Sequence, residues 1–209
     1  MAHITLLGDS IFDNGVYVPG QPDVVSQLHA RLPRGWQAEL RAIDGACVAD
    51  VAAQLAQRPA GTTHLVLSVG GNDALGQAEI FNQPVTASAQ VFAELAAIRE
   101  GFNRAYGRLL DQIGVLDLPT VVCTIYDPNF APLEYRAMAT AALTVFNDVI
   151  TRHVFGRGWP LIDLRLLFDS PADYANPIEP SVQGGEKLTE RILQVVQTHD
   201  FGQGRSYVF

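Results

Sequence analysis

A three-layer α/β/α fold is what this chain of 209 residues predicts, and three observations predict it. Short apolar runs alternate with segments of helical periodicity along the whole length. The runs are continuous in apolar character, as strands covered on both faces are, and lack the alternation of a one-faced sheet. No internal repeat, low-complexity stretch or linker divides the chain, so one domain spanning 1–209 is expected.

The elements follow in order. Residues 4–7 read as a first short buried strand. Residues 23–32 carry Val24, Val25, Leu28 and Leu32 at helical spacing, and Pro33 with Gly35 ends that helix. Residues 38–43 form a second strand. Residues 50–57 form a helix built on Val51 and Leu55 and closed by Pro59 and Gly61, and residues 64–69 form a third strand. A long helical pattern runs from 88 to about 116. Residues 120–125 give a fourth strand, and 133–154 a second long helix with Met138, Ala142, Val145 and Val149 along one side. Residues 161–164 give a fifth strand and 185–197 the last helix. Strands and helices alternating in this way imply a five-stranded parallel sheet with helices on both faces. The tail, 201–209, ends in Tyr207, Val208 and Phe209, apolar enough to pack on the body or on another subunit; the sequence leaves both open.

Composition excludes several function classes. Hydrophobic residues make up 48% and charged residues 17%, enough for a sizeable core and too apolar for disorder. The formal net charge is -8 and no Lys/Arg cluster occurs, so a surface that tracks phosphates has no basis and nucleic acid is not an expected partner. Cys123, inside the fourth strand, reads as a buried reduced thiol, and Cys47 as a small packing residue. No Cys/His spacing suggests a metal, no G-x-G-x-x-G follows the first strand and no P-loop exists, so no cofactor is expected. The first strand begins at His3 and no apolar run reaches membrane-spanning length. A soluble, cytoplasmic protein without a signal peptide or membrane insertion is the expectation.

The chemistry gathers at strand ends. Gly8-Asp9-Ser10 closes the first apolar run, at the carboxyl edge where open parallel sheets bind ligands. Residues 7–15, Leu-Gly-Asp-Ser-Ile-Phe-Asp-Asn-Gly, resemble the first block of the SGNH/GDSL esterases and lipases. That resemblance covers essentially the whole chain and implies a flavodoxin-like sheet order. It makes Ser10 the nucleophile and places oxyanion donors at the Ser10 N–H, at Gly45 in Ile43-Asp44-Gly45-Ala46, and at the Asn72 side chain in Gly70-Gly71-Asn72-Asp73. Each is physically apt: glycine lets backbone approach a substrate closely, and an asparagine amide offers neutral donors. Alone, each of these segments is an ordinary turn; together they follow the expected strands in the expected order.

The family's last block, Asp-x-x-His before the final helix, supplies the base and the group that orients it. The matching stretch here is Asn176-Pro177-Ile178-Glu179-Pro180, with Asn176 at the aspartate position and Glu179 at the histidine position. An unperturbed glutamate is the weaker base by roughly 2 pH units, a gap that burial closes. The expectation is therefore that Glu179 takes the Ser10 proton and that the Asn176 amide holds its carboxylate, a neutral orienter suited to an anionic base. Asp9 is expected to brace the turn. Asp13, Tyr126 and Phe130 are candidates for contact with substrate, against turn-forming or packing roles. Two readings stand: a serine hydrolase of a small-molecule acyl or acetyl ester, or a non-catalytic binding protein that keeps the oxyanion pocket for an anionic or acetylated ligand.

Overall fold

The computed structural model describes residues 1–209. Five parallel strands, β1 (His3–Gly8), β2 (Gln37–Leu40), β3 (His64–Ser68), β4 (Thr120–Cys123) and β5 (Leu161–Ile162), pair in the order β2-β1-β3-β4-β5. Helices cover both faces. On one side lie α1 (Val24–Arg31) and α7 (Val182–Thr198); on the other lie α2 (Val51–Ala56), α4 (Ser88–Gly114) and α5 (Leu133–Gly156). This is the expected three-layer architecture.

Strand periodicity explains the two cores. Ile4, Leu6, Val66, Val121 and Cys123 point toward α1 and α7. Their neighbours Leu7, Leu65, Leu67 and Val122 point the other way, onto Leu110, Ile113 and Ile150 of α4 and α5. All nine are essentially inaccessible to solvent. At the register Gly8↔Ser68 the strands leave no room for a side chain: a Cβ on Gly8 would lie 1.7 Å from the Ser68 carbonyl oxygen, and its φ is +132°. Gln54 of α2 grips the same residue, accepting the Gly8 N–H and donating to the Gly8 carbonyl at 2.8 Å each. The end of β1, where Asp9 and Ser10 leave the sheet, is thereby fixed.

Several boundaries differ from expectation, each for a local reason. Asp163 ends β5 after two residues by accepting the Arg165 N–H, which opens a single-turn helix, α6 (Leu164–Leu167). The last helix begins at Val182. Gly184 and Gly185 lower helix propensity there, but the Ser181 hydroxyl caps the turn through the Gly184 N–H. A second short helix, α3 (Gly71–Leu75), starts directly after β3. Residues 174–180, assigned to no strand or helix from the sequence, form an antiparallel hairpin of β6 (Tyr174–Asn176) and β7 (Glu179–Pro180) turning at Pro177-Ile178. The tail returns to the body. Leu161 N–H donates to the Tyr207 carbonyl and Phe209 N–H to the Leu161 carbonyl, extending the sheet beyond β5. No helix is long and apolar enough to cross a membrane.

Candidate active site

The carboxyl ends of β1 and β3 and the β6–β7 hairpin meet at one pocket. It encloses about 970 Å³, mouth included. Its polar end carries Asp9, Ser10, Asn72 and Glu179; the remainder is mostly apolar. No Lys, Arg or His lines it.

The walls come from a mismatch of lengths. The helices α4 and α5 have 27 and 24 residues, so they span roughly 40 and 36 Å, against roughly 13 Å for four-residue β4. Their first turns therefore rise past the carboxyl edge of the sheet. Leu95 and Ile98 of α4, Ala139 and Leu143 of α5, and Phe81 line the cavity. Phe130 and Phe81 both pack edge-on against Tyr135. The helical patterns were legible in the sequence. The pocket they build was not read from it, although their excess length over the strands was its signal.

Ser10 leaves β1 in a turn that Asp9 braces: the Asp9 carbonyl accepts the Phe12 and Asp13 N–H groups, and its Oδ1 accepts the Ile11 N–H at 3.3 Å. The Ser10 N–H has no protein partner, and neither has the Gly45 N–H. Gly45 has φ +80°, sits exposed in the loop after β2, and lies outside the pocket wall. Asn72 joins the two loops, its Nδ2 donating to the carbonyl of Ala46, next to Gly45, at 3.0 Å. One Asn72 amide proton remains for a ligand. Asp73 adds a parallel tie, accepting the Val48 N–H at 3.0 Å.

Glu179 is only 5% exposed, and its Oε2 has no protein partner. Burial pushes its carboxyl up to about 7; the nearby Ser10 hydroxyl pulls the other way, and the negative charge of Asp44 adds to the rise. Asp9 is likewise raised to about 7, chiefly by burial, against its bond from Ile11 and with the charges of Glu179 and Asp73 adding to the rise.

The Tyr174 hydroxyl ties the first strand of the hairpin that carries Glu179 to the Asp127 carbonyl at 2.6 Å, and three contacts hold its turn and second strand. Asn14, wholly buried, donates from Nδ2 to the Pro180 carbonyl at 3.2 Å while its Oδ1 accepts the Val24 N–H at 2.9 Å. The Asn129 N–H donates to the Pro177 carbonyl at 2.7 Å. The Tyr126 hydroxyl donates to the Ile178 carbonyl, with its ring stacked on Phe168 at 4.8 Å.

Two expectations need correcting. The Asn176 amide does not hold the Glu179 carboxylate. Its Oδ1 accepts the Ile178 N–H at 2.9 Å, because Asn176 starts the two-residue turn and its side chain closes it. Asp13 does not reach the pocket: its Oδ2 accepts the Asp44 N–H at 2.9 Å, tying the loop after β1 to the loop after β2. Tyr126 and Phe130 do line the pocket, although the Tyr126 hydroxyl is already engaged. None of the five histidines lines it.

The family model of the GDSL-like lipases and acylhydrolases matches residues 6–186. The chain belongs to that family. Solved structures of the GDSL type share its fold. An extracellular lipase from Streptomyces rimosus is 21% identical with a TM-score of 0.68, the match covering 93% of this chain and 99% of that one. A lipolytic G-D-S-L family member from Veillonella parvula is 14% identical with a TM-score of 0.69, over 95% of this chain and 100% of that one. Phospholipase A1 from Streptomyces albidoflavus is 17% identical with a TM-score of 0.66, over 95% and 99%. No curated protein matches the chain in sequence. Within this GDSL-family chain, a buried glutamate occupies the place where the family's last block carries its histidine.

Proposed function

We propose that this chain is a serine ester hydrolase in which Glu179 is the general base. The observation that carries the reading is the buried Glu179 carboxyl, raised to about 7 chiefly by burial and lining the same pocket as Ser10. A base works best when its pKa lies near the working pH, and such a group contributes roughly 10²–10⁴-fold.

The steps balance as follows. Ser10 Oγ attacks the ester carbonyl carbon while its proton passes to the Glu179 carboxylate. The carbonyl π electrons move onto oxygen, and that oxyanion is held by the free Ser10 N–H and the Asn72 amide. The tetrahedral intermediate collapses, and the proton on Glu179 moves to the departing alkoxide. Water then repeats the sequence on the acyl-serine, regenerating Ser10 and releasing the acid. The apolar walls around Ile98, Ala139 and Leu143 suit an uncharged acyl chain, and no cation lines the pocket to pair with an anionic one.

Turnover of p-nitrophenyl esters of increasing acyl length tests this. Native protein hydrolyses them and prefers chains longer than acetyl. Ser10→Ala abolishes turnover and Glu179→Gln lowers it about 10²-fold or more. Undiminished turnover by Ser10→Ala contradicts the reading. A native protein that turns over no ester but binds a carboxylate in calorimetry supports the non-catalytic alternative instead.

A further inference from the structure

We propose that the apolar part of the pocket is a subsite for one uncharged alkyl acyl chain of medium length, and that Ala139 and Ala142 of α5 set that length. This deepens the ester-hydrolase reading and rests on it, because Ser10 must hold the acyl carbonyl for the chain to enter here.

Two small residues make the room. The pocket-lining residues of α5 are Tyr135, Ala139, Ala142, Leu143 and Phe146. Spacings of three and four put them on one stripe of the helix. That stripe is aromatic at both ends and carries two alanines between. Further along, the two long helices touch. Phe146 packs edge-on against Phe102 of α4, with ring centroids 4.9 Å apart, and Arg99 of α4 donates to Asp148 of α5 at 2.7 Å. Leu95, Ile98, Ala139 and Ala142 lie roughly one to two turns before the Phe102–Phe146 contact. A larger side chain at 139 or 142 would fill space that the pocket now holds open.

The buried end of the pocket does not yield. Asn147, next to Phe146 and 1% exposed, accepts the Ile125 N–H and donates to the Ile125 carbonyl at 2.8 Å each. Ile125 follows β4 and lines the pocket with Phe146. Phe102 and Ile125 also crowd Gly70 after β3, where a Cβ would lie 3.0 Å from the Phe102 ring and 3.3 Å from Ile125 Cδ1. Phe102, Ile125 and Phe146 are thus pinned to the ends of β3 and β4. A close-packed group of this kind does not shift to admit another methylene.

The occupant follows from the lining. Asp9 and Glu179 are the only acidic or basic side chains on the wall, and both sit at the Ser10 end. A charge on the chain would be stranded among apolar groups. From Tyr135 to Phe146 the stripe spans roughly 16 Å. That is well beyond an acetyl group and short of an extended palmitoyl chain, so octanoyl and decanoyl esters fit. Each methylene buried there is worth about fourfold.

The test is kcat/KM for p-nitrophenyl butyrate, octanoate and palmitate in native protein, Ala142→Leu and Ala139→Leu. Each substitution adds three carbons to the wall. In native protein octanoate should exceed butyrate about tenfold or more, and palmitate should fall below octanoate. Both variants should lower the octanoate-to-butyrate ratio about tenfold or more. A native ratio near one, or an unchanged ratio in either variant, overturns the proposal. Calorimetry gives a readout that needs neither turnover nor an α5 variant: Ser10→Ala should bind octanamide about tenfold or more tighter than butanamide. Equal affinities overturn the proposal even if the α5 variants do not fold. Should native protein turn over no ester of any length, the hydrolase reading fails and the proposal falls with it. Should it turn over every length equally, the hydrolase reading stands and the acyl subsite alone is lost.

Discussion

Glu179 changes what a serine site of this family asks of its surroundings. An imidazole base is neutral at rest and becomes a cation, so a carboxylate beside it helps; a carboxylate base is an anion at rest and becomes neutral, so a second anion beside it hinders. The site meets that demand with neutral donors. Asn72 is the most exacting of these, because its amide both ties the loop after β2 through Ala46 and faces the pocket. Asn72→Ala should lower kcat roughly 10²–10³-fold with a small change in KM, measured on any ester the native protein turns over. Asp13 makes the contrasting case. Its carboxylate is committed to the Asp44 N–H, so Asp13→Ala should cost about 1 kcal/mol in urea unfolding and leave KM where it was. Ser10 and Asn72 were legible in the sequence because each follows a buried strand at the functional edge. Asn14 was not, because its partner Pro180 lies 166 residues away and nothing local to Asn14 signals that contact.

The decisive element is the β6–β7 hairpin. Its two strands are too short to be stable alone, so its position depends on what grips it. Asn129, Tyr126 and Asn14 bond to the carbonyls of Pro177, Ile178 and Pro180 in its turn and second strand. Asn14→Ala strands a buried Val24 N–H and Pro180 carbonyl, for a loss of about 2–4 kcal/mol in denaturant unfolding. Its kcat should fall more than its KM rises, since the base and not the acyl pocket is displaced. Tyr126→Phe removes one bond while keeping the stack on Phe168, so a smaller loss of about 1 kcal/mol is expected. The sequence placed Asn176-Pro177-Ile178-Glu179-Pro180 before the final helix. It did not show a hairpin, because the pairing of Asn176 with Glu179 spans only the Pro177-Ile178 turn and carries no strand-length alternation.

At the scale of the molecule, the sheet was legible and the pocket was not. Continuous apolar strands report burial on both faces wherever they occur, whereas a cavity depends on how far two helices overshoot the sheet and how they converge. The tail was undecided by sequence for a similar reason: Tyr207, Val208 and Phe209 are apolar whichever surface they cover, and the backbone pairing with β5 settles it. Burial of the site also sets a global cost. Asp9 and Glu179 both titrate above the ordinary carboxylate range, at about 7, so the folded chain binds more protons than the unfolded chain between about pH 4 and 7. Their contribution is complete below the unfolded values and is lost as pH rises through 7. Asp148, Asp163 and Asp169 are held low, so their contribution is lost only as pH falls below the ordinary range. The Tm should therefore fall between about pH 5 and pH 8, and fall less in Asp9→Asn, as calorimetry would record.

The activation of Ser10 by Glu179 can be read without knowing the natural ester, through the rate at which a fluorophosphonate labels Ser10 as a function of pH. The rate should climb with an apparent pKa near 7, and Glu179→Gln should lower the plateau about 10²-fold or more. A labelling rate that is flat through neutrality, or equal in the two proteins, would mean that this carboxyl does not deprotonate the nucleophile.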